Sequence, residues 1–473
     1  MLSHSYQSSE GYQPEEFSAK FGLEARGERE SKIQIVNVTC GKGALVKLSP
    51  MDMPQVFSWT PFLFPFENNN GEKDFMGDDR LVRSLHQAVE RVPILTGHLE
   101  RIDGTPVEMA GPNSDMHVVV GTSGVWYASS QIPGSFQAFK ESGFSYEALH
   151  PSFTFRRSNQ AIEEGKNYSL FAVKVNRFAC GSVVMLVSAC HLIADARSVY
   201  EFVRCWSILC REKFSEDLVF ESRHLYSYDE HLTEGSRAML DMFMSMKKTA
   251  SRPHQRTKLV QFTISTAAMT ALKAKVNKQL APEWVSTDDI LCTLAYRALL
   301  RARQVPSDAP TKLVRIVDAR KLNQPPLPIH AFGNGVSIYI TGPQPASDMI
   351  SSSLAVLARK ARQGISSVTA QTIRDSITAI AHVPFKDHPL GGNTIPFSDD
   401  AFTSSYAGFK PACIDFGKSP CLTVTRGVFT EGLIIPHPIH NDSFSVKVGV
   451  NSLHVPAFLA DPELLGLGFK IMS

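Results

Sequence analysis

Ser182-Val183-Val184-Met185-Leu186-Val187-Ser188-Ala189-Cys190-His191-Leu192-Ile193-Ala194-Asp195 decides how this chain reads. Its first part is β-branched and apolar with no polar alternation, the pattern of a strand buried on both faces. After Asp195, the residues Val199, Phe202, Val203, Trp206 and Leu209 recur at helical spacing. His191 therefore sits where a buried strand gives way to a helix. Such a junction can hold an imidazole rigidly and still open it to a pocket. Of the fifteen histidines only His191 has Asp four residues on. Chance alone would supply one such pair with roughly even odds, so the spacing needs its context. A core histidine satisfied by backbone is the competing reading.

A chain of 473 residues has room for two or three domains. With 43% hydrophobic and 20% charged residues it is globular. Lys+Arg 48 nearly balance Asp+Glu 46 and no basic run stands out, so neither nucleic acid nor an anionic membrane is an expected partner. Met1 to Phe17 is polar without an apolar leader core, and no run of about eighteen apolar residues occurs. The eight cysteines form no Cys-x-x-Cys pair. They read as reduced thiols in a cytoplasmic protein with no metal site.

Four segments are expected. Residues 1–31 form a polar arm and 32–213 a first α/β layer. Residues 214–257 make a polar connection with a Met-rich helical piece near Met239–Met246. Residues 258–473 repeat the alternation of strand and helix. In the first layer Arg80–Val92 is an amphipathic helix ending at Pro93. In the second, Ser286-Thr287-Asp288-Asp289 is a capping box. A single helix is expected from Ala346 to Gln363, and strands over Leu422–Phe429 and Phe444–Val450.

Gly-rich phosphate loops, the dinucleotide fingerprint, the Gly-x-Ser-x-Gly elbow and His-Glu-x-x-His are all absent. What remains is His191, whose side chain titrates near working pH and suits a general base. A base there can deprotonate an alcohol or amine as it attacks a thioester. That reaction needs no metal and no protein nucleophile. Asp195 either orients the imidazole directly or points away and pairs with an Arg; the spacing leaves both open.

His191-Leu192-Ile193-Ala194-Asp195 resembles the signature of the BAHD acyl-CoA-dependent acyltransferases, and Asp415-Phe416-Gly417-Lys418-Ser419 resembles that family's Asp-Phe-Gly-Trp-Gly box. Leu48-Ser49-Pro50-Met51-Asp52, Val92–Leu99, Val317-Asp318-Ala319-Arg320, Pro325–Pro328 and Ala331-Phe332-Gly333-Asn334 are similar to other family segments. The fungal, trichothecene O-acetyltransferase-like branch looks nearest. The resemblance implies two chloramphenicol-acetyltransferase-like α/β domains joined by a crossover loop, with a solvent channel between them and His191 at its middle. It implies no permanently bound cofactor, acyl-CoA as co-substrate with acetyl the default group, and a hydrophobic small-molecule acceptor. It further implies that Asp195 pairs with Arg320 and that a hydroxyl of Ser404-Ser405-Tyr406 meets the acceptor or the oxyanion; Asp415, Phe416 and Gly417 read as a loop brace, and Asn334 as a residue that either stabilises a loop or touches substrate. Lys258 and Ser265 lie in the family's CoA-binding segment, with an exposed lysine and a helix cap as their plain readings. A monomer is the default.

Five positions depart from the family pattern: Lys418-Ser419 for Trp-Gly, Ala196 for Gly, Cys190 for a frequent second His, and Tyr406 for the usual Trp. Two alternatives remain. One is a condensation-domain-like enzyme using carrier-protein thioesters, where two adjacent His are usual. The other is a non-catalytic relative of the same fold.

Overall fold

The computed structural model describes residues 34–38, 41–52, 59–101, 116–145, 169–213, 228–246, 257–382, 400–427, 430–440 and 442–472. The expected arm 1–31, Cys40 and most of the connection 214–257 lie outside them.

The described strands form two large mixed sheets and a small one. The six-stranded sheet runs Gln34–Val36, Val125–Gln131, Phe171–Arg177, Val183–Cys190, Trp59–Phe66, Thr425–Arg426. Val183–Cys190 is central and every one of its eight residues is buried, as its unbroken apolar run requires. It pairs over its full length with Trp59–Phe66 on one side and through seven positions with Phe171–Arg177 on the other. The helices Asp78–Arg91 and Ala196–Cys210 pack against each other over one face. Trp206, fully buried, donates its indole N–H to the Leu81 carbonyl (3.1 Å) and to Ser84 Oγ (3.0 Å), tying the two together.

The seven-stranded sheet has the order Val336–Pro345, Pro310–Asp318, Ala401–Thr403, Leu433–His440, Ser443–Asn451, Thr257–Ser265, Lys470–Met472. The helix Thr287–Ala302 is buried along nearly its whole length beneath this sheet. Ser286 and Asp289 close the expected capping box at its start. Within the connection, Glu234–Met246 is helical and packs on the helix Ala370–His382.

Three differences from the sequence reading stand out, the first two with local causes. The expected helix Ala346–Gln363 is two, Ala346–Ser351 and Leu354–Ser366. Ser353 caps the second by accepting from Val356 N (3.3 Å), a bond serine offers in place of helix continuation. Of the strand expected over Leu422–Phe429, residues 428 and 429 lie outside the described residues, and among the rest only Thr425–Arg426 is strand. Its neighbour Trp59–Phe66 carries Pro61 and Pro65, whose carbonyls accept from Gly427 N (2.8 Å) and Leu422 N (2.9 Å). With no N–H to return, those prolines leave the ladder half made. The same two prolines hide the Trp59–Phe66 strand from a sequence reading. Finally, Thr425–Arg426 lies inside the expected second unit yet adds to the first sheet. The segment from Tyr406 to Val424 contributes Tyr406, Phe409, Ile414, Phe416 and Val424 to the first unit's core.

No helix among the described residues is long and apolar enough to cross a membrane. None of their His, Cys, Asp and Glu side chains gather into a group of three or more that could hold a metal ion.

Candidate active site

The central strand ends at Cys190, and His191 opens the three-residue turn that leads to the helix Ala196–Cys210. Asp195 caps that helix, its Oδ1 accepting from Ser198 N at 2.8 Å. The carboxylate also accepts from Arg320 Nη2 (3.0 Å) and from Gly335 N (2.9 Å). Arg320 is itself 1% exposed and Asp195 2%. The guanidinium donates further to the Ala331 carbonyl (2.9 Å), to Gly333 O (3.1 Å), to Ser198 Oγ (3.1 Å) and to Asp318 Oδ1 (3.2 Å). Burial alone would raise the Asp195 pKa. The Arg320 charge and the two backbone N–H donors outweigh it and hold the carboxyl below its ordinary value. The Asp195 carboxylate is thus taken up by Arg320, by the helix it caps and by the loop at Gly335, and its hydrogen bonds among the described residues do not include the imidazole.

The imidazole is held by Asn334 instead. Asn334 Nδ2 donates to Asp52 Oδ1 and to the His191 carbonyl, both at 2.8 Å. Two acceptors on the amide nitrogen fix which way the amide points. Its Oδ1 must then be the atom 3.2 Å from His191 Nδ1, so that ring nitrogen donates. The neutral ring carries its proton on Nδ1 and its lone pair on Nε2. Asn334 and Asp52 are both buried, and Asp52 Oδ2 accepts from Ser49 N (2.9 Å) and Ser49 Oγ (3.0 Å). His191 is partly buried. Burial first, and the Arg426 charge second, lower its pKa against the opposing pull of Asp195 and Asn334. The ring is therefore biased toward the neutral form.

Ser404, Ser405 and Tyr406 separate. Ser405 is exposed and accepts from Ala407 N (3.3 Å). Ser404 is partly buried, and its side chain meets the Tyr406 hydroxyl. Tyr406 is buried between Phe62, Phe409 and His437 and also meets the Arg426 side chain.

Asp415, Phe416 and Gly417 lie elsewhere. They pack at the C-terminal end of the helix that begins beside His191, about 20 Å along its axis for fifteen residues. Asp415 Oδ1 accepts from Gly417 N (2.7 Å) and Oδ2 lies 3.7 Å from Arg211. Phe416 sits edge-on to Trp206 (5.0 Å) and Phe66 (5.6 Å), and its carbonyl accepts from Arg80. Lys418 pairs with Glu72. Lys258 and Ser265 stand at opposite ends of one strand, about 23 Å apart and on opposite faces. Ser265 caps the following helix through Ala268 N (3.2 Å).

Asp52, Ser198 and Arg426 were not singled out from the sequence. The signal for Asp52 was present in Leu48-Ser49-Pro50-Met51-Asp52, where Ser49 and Asp52 close a tight turn. Nothing in sequence spacing ties it to Asn334, which lies 282 residues on.

A family model described as "Transferase family" matches residues 42–450. Hydroxycinnamoyltransferase 1 of Oryza sativa is 24% identical over 409 residues, covering 83% of this chain and 88% of that protein. A hydroxycinnamoyl-CoA:5-hydroxyanthranilate N-hydroxycinnamoyltransferase of Avena sativa is 23% identical over 81% and 85%. Among solved structures, F. graminearum TRI101 with coenzyme A and T-2 mycotoxin superposes with a TM-score of 0.75 at 17% identity, covering 90% of this chain and 99% of that one. Vinorine synthase does so at 0.65 and 18% identity, covering 93% and 98%. With the matched model spanning most of its length, this chain belongs to the Transferase family of BAHD acyl-CoA-dependent acyltransferases.

Proposed function

We propose that this enzyme transfers an acyl group, acetyl by default, from acyl-CoA to a hydroxyl of a hydrophobic secondary metabolite, with His191 as the general base. The observation that carries the reading is the Asn334 contact on Nδ1, which leaves Nε2 as the basic nitrogen. His191 Nε2 takes the hydroxyl proton as the oxygen attacks the thioester carbonyl. A tetrahedral oxyanion forms, the C–S bond breaks, and the Nε2 proton passes to the departing CoA sulfur. The products are the ester and free CoA, and no protein nucleophile takes part. Asp195 and Arg320 brace the turn carrying His191, and the box at Asp415 acts on folding. Ser404 is the better candidate of the two serines for the oxyanion donor, because Ser405 faces solvent. The two halves both supply walls around His191, so a monomer suffices.

Three similar proteins bear on the acyl group and acceptor. The rice and oat proteins are named for hydroxycinnamoyl transfer, and TRI101 was crystallised with coenzyme A and T-2 mycotoxin or deoxynivalenol. The test is release of CoA thiol from acetyl-CoA and from hydroxycinnamoyl-CoA, with and without a pool of hydroxylated terpenoids, alkaloids and polyketides. Acceptor-dependent release that disappears in His191→Ala is the expected result. Release that survives His191→Ala at the wild-type rate overturns the assignment of the base.

A further inference from the structure

Asp195 and Asp52 are both buried near His191, and the second is the one joined to its ring. Asp195 binds Arg320 and the helix it caps. Asp52, 1% exposed, reaches the imidazole through a single side chain. Its Oδ1 accepts from Asn334 Nδ2 at 2.8 Å, and Asn334 Oδ1 lies 3.2 Å from the His191 Nδ1 that donates to it. The turn carrying Asp52 is pinned. Asp52 N donates to the Ser49 carbonyl (3.0 Å), and Oδ2 accepts from Ser49 N (2.9 Å) and Ser49 Oγ (3.0 Å). Met51 beside it is buried in a cluster of the second unit with Val317, Ala319 and Ile338. The carboxylate thus has a fixed place between a turn of the first unit and Asn334 of the second.

The chemistry of the contacts selects a carboxylate. One oxygen accepts from the Ser49 turn and the other from the Asn334 amide. An asparagine at this position has one oxygen for two sides and turns its NH2 toward a donor on one of them. The turn alone does not need the charge, since Asn, Ser and Thr close such turns as well. What the charge adds falls at the far end of the chain. When His191 Nε2 takes the acceptor's proton, the ring becomes cationic and its Nδ1–H donates more strongly to Asn334 Oδ1. That draws density through the amide and strengthens the bond from Nδ2 to Asp52, as linked hydrogen bonds polarise one another. The neutral ring gains less from the same carboxylate, so the chain favours the state formed in the reaction.

We infer that Asp52 is a positioning residue of the acyl-transfer site, acting through Asn334 to hold the Nδ1 proton of His191 and to stabilise the imidazolium formed when Nε2 takes the acceptor's proton. The inference rests on the acyl-transfer reading above. Two other charges face the ring. Arg426, from the edge strand of the first sheet, favours its neutral form, and Asp195, from its own turn, favours the protonated one.

The test uses acetyl-CoA with the pool acceptor that gives His191-dependent turnover. Asp52→Asn keeps the shape and an oxygen for Asn334 and removes the charge. A unit charge one side chain from the ring is worth about one pH unit, so kcat should fall about tenfold. The KM for acetyl-CoA should change less than about threefold. The acid limb of kcat/KM, where His191 protonates, should move down by about one pH unit, because the negative charge raises that midpoint in the wild type. A purely structural role for the turn would lower Tm and leave the limb in place. In Asn334→Ala the chain is already cut, so adding Asp52→Asn should cost less than about threefold more. Asp52→Ser, which keeps an acceptor oxygen without charge, carries the test if Asp52→Asn does not fold. An unmoved acid limb, an unchanged kcat, or losses that multiply in the double variant overturn the inference. If no pool acceptor turns over, the underlying reading has failed and a titration still decides this one. The ¹⁵N signals of the histidine that disappears in His191→Ala should show a midpoint about one pH unit lower in Asp52→Asn than in wild type. A midpoint that stays or rises overturns the inference.

Discussion

Asp195→Asn separates a bracing carboxylate from a catalytic one. In the wild type Asp195 takes two backbone N–H bonds and the Arg320 guanidinium, all in a site closed to water. The asparagine keeps one oxygen, which can still accept from both Ser198 N and Arg320 Nη2. Its new NH2 faces the Gly335 N–H, donor against donor. Arg320 loses its buried countercharge and keeps Asp318 Oδ1, which is partly exposed, and the carbonyls of Ala331 and Gly333. Breaking one partner of a buried pair costs about 3–5 kcal/mol. At about 2.1 cal/mol/K per residue, a 473-residue unit melting together has an unfolding entropy near 1 kcal/mol/K, so Tm should fall by about 3–5 °C. The imidazole keeps Asn334, so kcat measured below the melting range should stay within about tenfold of wild type. In triads where the carboxylate holds the imidazole, the same substitution costs about 10⁴-fold. Calorimetry and steady-state kinetics on one preparation decide it. A loss in kcat of a thousandfold or more with an unchanged Tm would refute the brace and restore Asp195 as the orienting group. The pH dependence runs the same way. The folded pKa of Asp195 lies below its unfolded value, so its contribution is present above the unfolded value, about 3.9, and is lost as pH falls through the folded one.

Asn334→Ala should do the reverse in kinetics. It frees the imidazole to adopt either tautomer and strips a donor from buried Asp52, so kcat should drop about 100-fold or more while acetyl-CoA binding by calorimetry persists. Lys447 is buried against the Phe144 carbonyl and Thr425 Oγ1, and burial lowers its pKa to about 7. The unfolded chain binds that proton up to about pH 10.4. Urea unfolding should therefore show stability rising between pH 7 and 10, and Lys447→Met should flatten that slope. Gly417 has φ +94°, and an added Cβ would lie 2.6 Å from Arg80 Nη2. Gly417→Ala should cost about 1–3 kcal/mol in urea unfolding and leave kcat within about threefold, since the box lies at the far end of the helix from His191.

Residue types and local spacing were enough for the buried strand, the helix after it, the capping box at Ser286 and the candidate base. Each rests on a pattern a few residues long, which local backbone geometry and burial make readable. The proline-bearing Trp59–Phe66 strand escaped because its missing N–H groups face the weakly paired Thr425–Arg426, a fact of sheet order. The break at Ser353 and the short Thr425–Arg426 ladder escaped for similarly local reasons of competition between side chain, proline and backbone. The role of Asp195 was open because four-residue spacing across a turn permits two directions. Tertiary structure chose by bringing Arg320 to the carboxylate from 125 residues away and Asn334 to the imidazole from 143 residues away. The same holds for Asp52, which meets Asn334 from 282 residues away. A sequence states which groups can donate, accept or carry charge. Which of them meet is decided by long-range packing, where no local pattern records the partner.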